Sequence, residues 1–522
     1  MSAEADDEFS EIRGALGSIG LSSLVVFAGS ILSQGLGFGT RVVMTRFLPV
    51  DGYGELVLGI TVLNVLGIVS IVGLGQAQVR YLPQAETQEE RTRIAASIYQ
   101  IGIVLSLVWA AVGFFGAEFI AGTVFDSPDM ANVVRVFALT LPFYVFYKLS
   151  LKGIQGHKET TPNILTRNLV HPLTRLGGVA VMAIAGFGTI GLAIGYNLAF
   201  VIGGLVAFFL FVRDGRFRIR SLLTASDRDR YRELLTFSAP LAISASFNLV
   251  TRNSDRFLLG VFDTSSAVGI YDVVLLVSQF ILFFGPVLNY LFQPIVAEYD
   301  TEDDLHRMNK LYTIVTRWLV ILTFPIFALI VLFPEEMLGI LFGAEYRQGT
   351  LSLTLLSGGY FISRFFGLSG SFLTAMGETR VVMHISGATA ALNLGLNIVL
   401  IPIYGIVGAA LATALSVILN AILQIGYVYR SNNMHPFTRP LLVPSLLALV
   451  CLVVVKYFLP NFEVGIVAVL ITIGIFFTIF ITCILLTRSV YTIELKFADS
   501  LLVKMGFSLQ LQDRLKILTM EK

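Results

Sequence analysis

The stretch GTIGLAIGYNL at 188–198 is answered by GIVGAALATAL at 405–415, so that Gly188, Ile190, Gly191, Ala193 and Leu198 meet Gly405, Val407, Gly408, Ala410 and Leu415 at an offset of 217 residues. A second pair gives nearly the same period: Tyr53 in Gly52-Tyr53-Gly54 and Tyr271 in Gly269-Ile270-Tyr271 are 218 residues apart. Neither match is long, but both fall in a chain that is almost continuously apolar. Together they predict a six-helix membrane unit made twice. A unit with an even number of crossings re-enters the membrane in the same orientation, so its copies are expected to be related by a pseudo-two-fold axis along the membrane normal. The space between two such lobes is the usual place for a transported substrate.

Composition agrees with this reading. Of 522 residues, 55% are hydrophobic and 14% charged, with mean hydropathy +0.80, which excludes an ordinary soluble enzyme. The net charge of +1 reflects cations spread over loops and helices, with no basic domain for nucleic acid. Cys451 and Cys483 lie in late apolar stretches as filler, without disulfide or zinc spacing, and the five histidines are scattered. Residues 1–11 are acidic and lack the basic segment and cleavage site of a signal peptide.

A helix needs roughly 20 mostly apolar residues to cross a hydrocarbon core about 30 Å thick. Fourteen segments qualify: 18–38, 53–72, 94–115, 131–152, 163–185, 189–212, 234–257, 268–290, 308–333, 350–374, 381–403, 406–429, 441–459 and 464–487. The expected fold is therefore an all-α polytopic membrane protein of about 14 transmembrane helices. Its parts are an N-terminal segment 1–17, an N-lobe 18–212, a basic linker 213–233, a C-lobe 234–429, two extra helices within 430–487 and a tail 488–522. With the N-terminus inside, Arg80, Arg91, Arg93, Lys152, Lys158, the arginine-rich linker and the basic tail all fall in the cytoplasm. The stretch 116–130 and the turns near Gly188, Gly405 and Pro460, on the other side, carry no lysine or arginine. The positive-inside rule thus places both termini in the cytoplasm, in the cell membrane. Phe497, Leu501, Leu502 and Met505, set among charged residues, suggest an interfacial helix in the tail.

Ionisable groups inside spans normally face a cavity or a partner. Arg41, Arg46, Glu55 and Lys456 lie near span ends, where snorkelling to the interface is an equal explanation. Arg175 and Arg364 fall near mid-span with no acid one turn away, and Arg317 is somewhat shallower. On the seventh span Asn248, Arg252 and either Asp255 or Arg256 share a stripe, with an Arg252–Asp255 pair as the structural alternative. The spans hold more arginine than acid, and guanidinium matches phosphate oxygens well, so a phosphate-bearing ligand is favoured over an organic cation. Asn393 and Asn397 stand one turn apart on the eleventh span, Thr413 lies on the twelfth and Asp255 on the seventh. Such oxygen donors suit a small hard cation, and they equally suit hydrogen bonding between helices.

These residues resemble the polysaccharide transporter branch of the multidrug, oligosaccharidyl-lipid and polysaccharide flippase superfamily. The likeness covers nearly the whole chain: RVVMTRFLPVDGYG at 41–54, GLGQAQVRYLP at 73–83, GIQGHKE at 153–159, SAPL at 238–241, the segment 255–271 and the paired glycine stretches. The resemblance implies a two-lobe transporter that moves a lipid-linked sugar across the membrane by alternating access, usually from the cytoplasmic to the outer leaflet, with no enzymatic step. It implies cationic residues that hold a lipid diphosphate or phosphate on a polyprenyl or dolichyl carrier; Arg41, Arg46, Arg175, Arg256 and Arg364 are the candidates. It also implies a sodium site, which related lipid II flippases build from an aspartate on span seven, two oxygen-bearing residues on span eleven, and a carbonyl and a threonine on span twelve. Asp255, Asn393, Asn397, the Ala409 carbonyl and Thr413 correspond. Asn397 stands where those proteins have an acid, a departure that removes a charge and weakens cation binding. No cofactor is expected beyond possible sodium or proton coupling, and a monomer is expected.

Two other functions compete. An ion-coupled multidrug antiporter of the same superfamily would share the architecture, but such antiporters rely on acids buried in a lobe, and span 18–38 has none. A membrane glycosyltransferase, polymerase or ligase would need a catalytic acid or base beside an extramembrane pocket, and the short loops carry no recognisable carboxylate pair, nucleotide loop or metal cluster.

Overall fold

The computed structural model describes residues 21–157, 160–213, 228–302, 304–458, 474, 476, 478, 480, 482–483, 490–491 and 519–520. The long helices in order are α1 (Leu21–Phe47), α2 (Val50–Ile71), α3 (Gln88–Phe115), α4 (Ala131–Gly156), α5 (His171–Ile184), α6 (Gly188–Val212), α7 (Arg228–Phe262), α8 (Ser265–Ser278), α9 (Leu305–Leu332), α10 (Thr350–Arg364), α11 (Thr379–Asn432) and α12 (Arg439–Phe458). A short helix, Leu74–Tyr81, joins α2 to α3, and a wide turn, Leu165–Val170, leads into α5. α8 runs on through Gln279–Leu282 into a helix at Phe284–Thr301.

Local chemistry sets several boundaries. The Thr87, Thr264 and Asp304 side chains accept from the amides of Glu90, Ala267 and Arg307, satisfying orphan donors at the starts of α3, α8 and α9. α11 is nominally 54 residues, which at 1.5 Å per residue would be about 80 Å long, far beyond a hydrocarbon core of about 30 Å. Gly405 breaks it into two arms at φ 54°, ψ −129°. Its repeat partner Gly188 has φ 60° at the start of α6. Both copies of the motif therefore begin with a glycine in a backbone conformation that a side chain resists.

Each of the first thirteen expected spans overlaps a described helix, and the fourteenth lies largely outside the described residues. Among the described residues seven helices are long and apolar enough to cross a membrane, or eight when the pair bent by 41° at the end of α10 counts as one crossing. On α3 the outward stripe Val104, Leu107, Val108 and Val112 is 51–59% exposed, an apolar surface that water would penalise and hydrocarbon does not. The chain is a multi-pass membrane protein.

Some expectations change. The described part of α7 runs from Arg228, so residues 228–233 of the expected linker are helical. In the tail Val490–Tyr491 pair in parallel with Thr519–Met520 as a two-residue strand ladder, while the expected interfacial helix, carried by Phe497, Leu501, Leu502 and Met505, lies outside the described residues. The same holds for residues 1–20 and for the side chains of Asn248, Arg252 and Lys456.

Packing follows the sequence halves. α6 packs on α4 and α5, and α1 on α5; in the second half α11 packs on α7 and α10. We refer to α1–α6 as the N-lobe and α7–α11 as the C-lobe. The lobes meet at both ends of the bundle. At the end where α1 gives way to α2, α2 crosses α8 so closely that a Cβ on Gly54 would overlap the Ser265 carbonyl oxygen, and one on Gly269 would stand 2.9 Å from the Val50 carbonyl oxygen. At the opposite end α7 packs on Leu74–Tyr81 and α3, with Tyr231 donating to Gln100 Oε1 at 2.6 Å and the Arg80 guanidinium 4.5 Å from the Phe237 ring centre.

Candidate functional site

Between the lobes, near the Gly54 end, lies a small cavity of about 80 Å³ lined by Arg41 of α1, Tyr53 and Asn64 of α2, Arg175 of α5, Tyr196 of α6, Arg256 of α7 and Asp272 of α8. Three guanidiniums thus face one carboxylate. Asp272 is 1% exposed and accepts from Arg41 Nε at 2.9 Å, Tyr53 Oη at 2.5 Å and Arg256 Nε at 2.7 Å. Two of those donors come from the N-lobe and the carboxylate from the C-lobe, so the bonds clamp the lobes together. Burying a carboxylate is expensive, and three donors including two cations are what makes it tolerable here. The Arg175 guanidinium lies 5.4 Å from the Tyr196 ring centre, and its Nε is buried without a hydrogen-bond partner among the described residues.

Three of the five expected cavity arginines, Arg41, Arg175 and Arg256, are therefore brought together. The other two are not. Arg46 reaches across to the backbone, donating to the carbonyls of Ile340 and Leu341, the latter at 3.2 Å. Arg364 bonds its neighbour Ser363 Oγ at 3.1 Å and lines none of the three cavities described here. Asp272 and Tyr53 escaped the sequence reading as site residues. An acid inside the apolar run VGIYDVVLLV at 268–277 is the kind of intramembrane charge that flags a site, and that signal was available.

Within the C-lobe the second expected cluster assembles. Asp255 Oδ1 accepts from Asn397 Nδ2 at 2.6 Å, and Asp255 Oδ2 accepts from Thr413 Oγ1 and Tyr271 Oη, both at 2.8 Å. Asn393 Nδ2 donates to Thr413 Oγ1 at 3.2 Å, and Asn397 Nδ2 also reaches Asn393 Oδ1 at 3.1 Å. Among the described residues Asn397 Oδ1 is buried without a partner, an acceptor left over once the other bonds are made. Ala409 is fully buried on the second arm of α11, one turn before Thr413. A cavity of about 350 Å³ opens onto the cluster, lined by Asp255, Arg256, Asn393 and Thr413 with Thr389, Ser416 and Asn420. Interhelical hydrogen bonding alone accounts for the bonds formed. The Asp255 carboxylate and the side-chain oxygens of Asn393, Asn397 and Thr413 are also the type of donor set that could hold a monovalent cation.

The cluster and the clamp share two helices. Asp255 and Arg256 are consecutive on α7, Tyr271 and Asp272 consecutive on α8, and the bonds run Tyr271 to Asp255 and Arg256 to Asp272. Two adjacent rungs therefore tie α7 to α8, one for each site. At the Arg80 end a third, wider cavity of about 810 Å³ is lined by residues of α2, α4 and the start of α7.

The sequence profile of the family described as "Polysaccharide biosynthesis protein" matches residues 20–288, and that of the family described as MatE matches 240–399. Among curated proteins, the chain is 24% identical over 414 residues to the probable low-salt glycan biosynthesis flippase Agl15 of Haloferax volcanii, covering 78% of this chain and 83% of that one. It is 23% identical over 459 residues to the succinoglycan biosynthesis transport protein ExoT of Rhizobium meliloti, covering 83% and 86%. Among solved structures it resembles the lipid II flippase MurJ in its inward closed conformation, with TM-score 0.66 at 14% identity over 90% of this chain and 98% of that one. An inward-facing multidrug transporter of the MATE family gives TM-score 0.61 at 12% identity, over 78% and 98%. At these identities the two structures speak for the fold.

Proposed function

Because the chain belongs to the polysaccharide biosynthesis protein family, we propose that it flips a lipid-linked oligosaccharide or polysaccharide precursor from the cytoplasmic to the outer leaflet by alternating access, as a transporter without a catalytic step. The observation that carries this reading is the Asp272 clamp. A carboxylate from one lobe occupies the place between Arg41 and Arg256 that a phosphate oxygen of a lipid-linked headgroup would take. An incoming anion competes with Asp272 for those guanidiniums, adds Arg175 as a partner, and so loosens the cross-lobe bonds at the moment it binds. The sugar remains in the aqueous space between the lobes and the lipid tail in the bilayer. The excess of lysine and arginine near the Arg80 end supports that end, and both termini, facing the cytoplasm of a cell membrane.

Energy for directional movement must come from differential binding to the two states. Asp255, Asn393, Asn397, Thr413 and the Ala409 carbonyl would hold sodium, which when bound would neutralise the one buried carboxylate of that cluster. With Asn397 in place of an acid the set carries a single negative charge, matched to a monovalent ion and weak for it.

The test is protein reconstituted into vesicles that hold a lipid-diphosphate oligosaccharide in both leaflets, with the sugar titrated by a membrane-impermeant lectin. Protein-dependent exposure of the inner pool, reduced at least about tenfold by Arg175→Gln as one charge-assisted contact is lost, is the expected result. Lectin access that stays at the protein-free level for every lipid-linked glycan tried, or full transport by Arg175→Gln, overturns it.

A further inference from the structure

The wide cavity at the Arg80 end is charged in a way the inner one is not. Arg80 of the short helix, Lys148 and Lys152 of α4 and Arg167 of the turn before α5 all line it, and among the described residues no aspartate or glutamate does. Lys148 and Lys152 stand one helical turn apart and so present both ammonium groups to the same space. Among the described residues their hydrogen-bond and ring partners are neutral. Lys152 Nζ donates to Gln155 Oε1 at 2.9 Å, Lys148 Nζ lies 5.3 Å from the Tyr144 ring centre, and Arg167 Nε donates to Asn168 Oδ1 at 3.1 Å. Among the described residues none of the four enters an ion pair, whereas Arg41 and Arg256 share Asp272. Four like charges around one space repel one another, a cost that an anion in that space would remove.

Size divides the two cavities as clearly as charge. The inner one, about 80 Å³, has room for a few waters and none for a sugar phosphate. The outer one, about 810 Å³, falls within the roughly 300–1,000 Å³ of small-molecule sites. Its amides, Gln76, Gln155 and Asn163, add donors and acceptors suited to hydroxyl groups. Phe237 and Leu241 of α7 bound it from the C-lobe, so an occupant touches both lobes while the clamp is still closed.

We propose that this cavity is the loading site for the substrate headgroup, and that Arg80, Lys148, Lys152 and Arg167 select a diphosphate over a monophosphate linkage before the anion moves inward to displace Asp272. The proposal rests on the flippase reading and goes further by naming the linkage. A diphosphodiester brings two negative charges and a monophosphodiester one, and four unopposed cations reward the second charge.

Binding is measured on the full chain in phosphatidylcholine nanodiscs with farnesyl diphosphate, farnesyl monophosphate and inorganic pyrophosphate as probes. Farnesyl diphosphate is expected to bind more tightly than either of the others, and the double variant Lys148→Gln/Arg167→Gln to weaken it by about tenfold or more as two charge-assisted contacts are lost. Arg93→Gln, an exposed cation at the same end outside the cavity, should leave binding unchanged, and an unaltered thermal midpoint shows that the double variant is folded. Equal affinity in the double variant overturns the site. Monophosphate binding as tightly as diphosphate overturns the selectivity, and inorganic pyrophosphate binding as tightly as farnesyl diphosphate assigns the cavity to a free anion. Since binding is read without transport, failure here leaves the lectin assay to judge the flipping reading separately.

Discussion

Replacing Asp272 with asparagine keeps the size of the side chain and removes its charge, which isolates what the clamp contributes to holding the lobes closed. Two of its three hydrogen bonds cross between lobes, from Arg41 at 2.9 Å and Tyr53 at 2.5 Å. A hydrogen bond to a charged group contributes about 1.5–3 kcal/mol, so the crossing pair contributes about 3–6 kcal/mol, of which a neutral amide oxygen recovers about 1 kcal/mol. The closed arrangement should therefore lose about 2–5 kcal/mol relative to an open one, and even the lower figure multiplies the open population by about 30-fold. Spin labels at Asp129 of the N-lobe and Gln348 of the C-lobe, both exposed at the Gly54 end, report the separation by double electron–electron resonance once Cys451 and Cys483 are changed to serine. The Asp272→Asn variant should show a longer-distance population in the absence of substrate, and addition of a lipid diphosphate to the unaltered clamp should produce the same population. A folded Asp272→Asn protein whose distance distribution matches the parent would refute the view that this carboxylate holds the lobes.

Tyr53→Phe removes one crossing bond and leaves both arginines engaged, so it should shift the same distribution by about 1.5–3 kcal/mol, less than Asp272→Asn; an equal or larger shift would mean that the arginine contributes nothing. Gly54→Ala places a methyl group on the Ser265 carbonyl oxygen, and the labels should move apart and stay apart whatever the ligand, with Gly269→Ala milder. Parent-like distances for Gly54→Ala would contradict so close a crossing. Asn397→Asp gives the C-lobe cluster a second carboxylate and should raise its affinity for radioactive sodium in a filter assay by at least about tenfold, whereas Asp255→Asn should abolish binding. Equal binding by both variants would count against a cation at that place.

Much of the fold could be read from apolar length alone, because a bilayer sets the crossing distance and leaves the backbone no other partner. The C-lobe cluster was legible for a related reason: Asn393 and Asn397 share a helix face, and Thr413 lies on the next arm, an oxygen donor inside an apolar span. Arg46 and Arg364 meet carbonyls at the end of the helix Pro334–Leu341 and a neighbouring serine, partners that nothing in the sequence specifies. The clamp was harder still. Its carboxylate and its first arginine are 231 residues apart, and their meeting depends on how the lobes sit together, which periodicity within a helix does not encode. Residues 228–233 are helical because charged residues continue α7 beyond its apolar length, a distinction that hydropathy does not draw.

The paired rungs between α7 and α8 have a thermodynamic consequence. Asp255 and Arg256 cannot move independently, being neighbours on one helix, nor can Tyr271 and Asp272 on the other. Should binding at one rung change the free energy of binding at the next, reciprocity requires the effect to be equal in both directions. A cation that draws Asp255 toward α11 tilts the balance between Arg256 and Asp272, and an anion that takes Arg256 must alter the cation's affinity by the same factor. If the proposed cation and anion both bind, two neighbouring dipeptides are thus enough to make them effectors of each other.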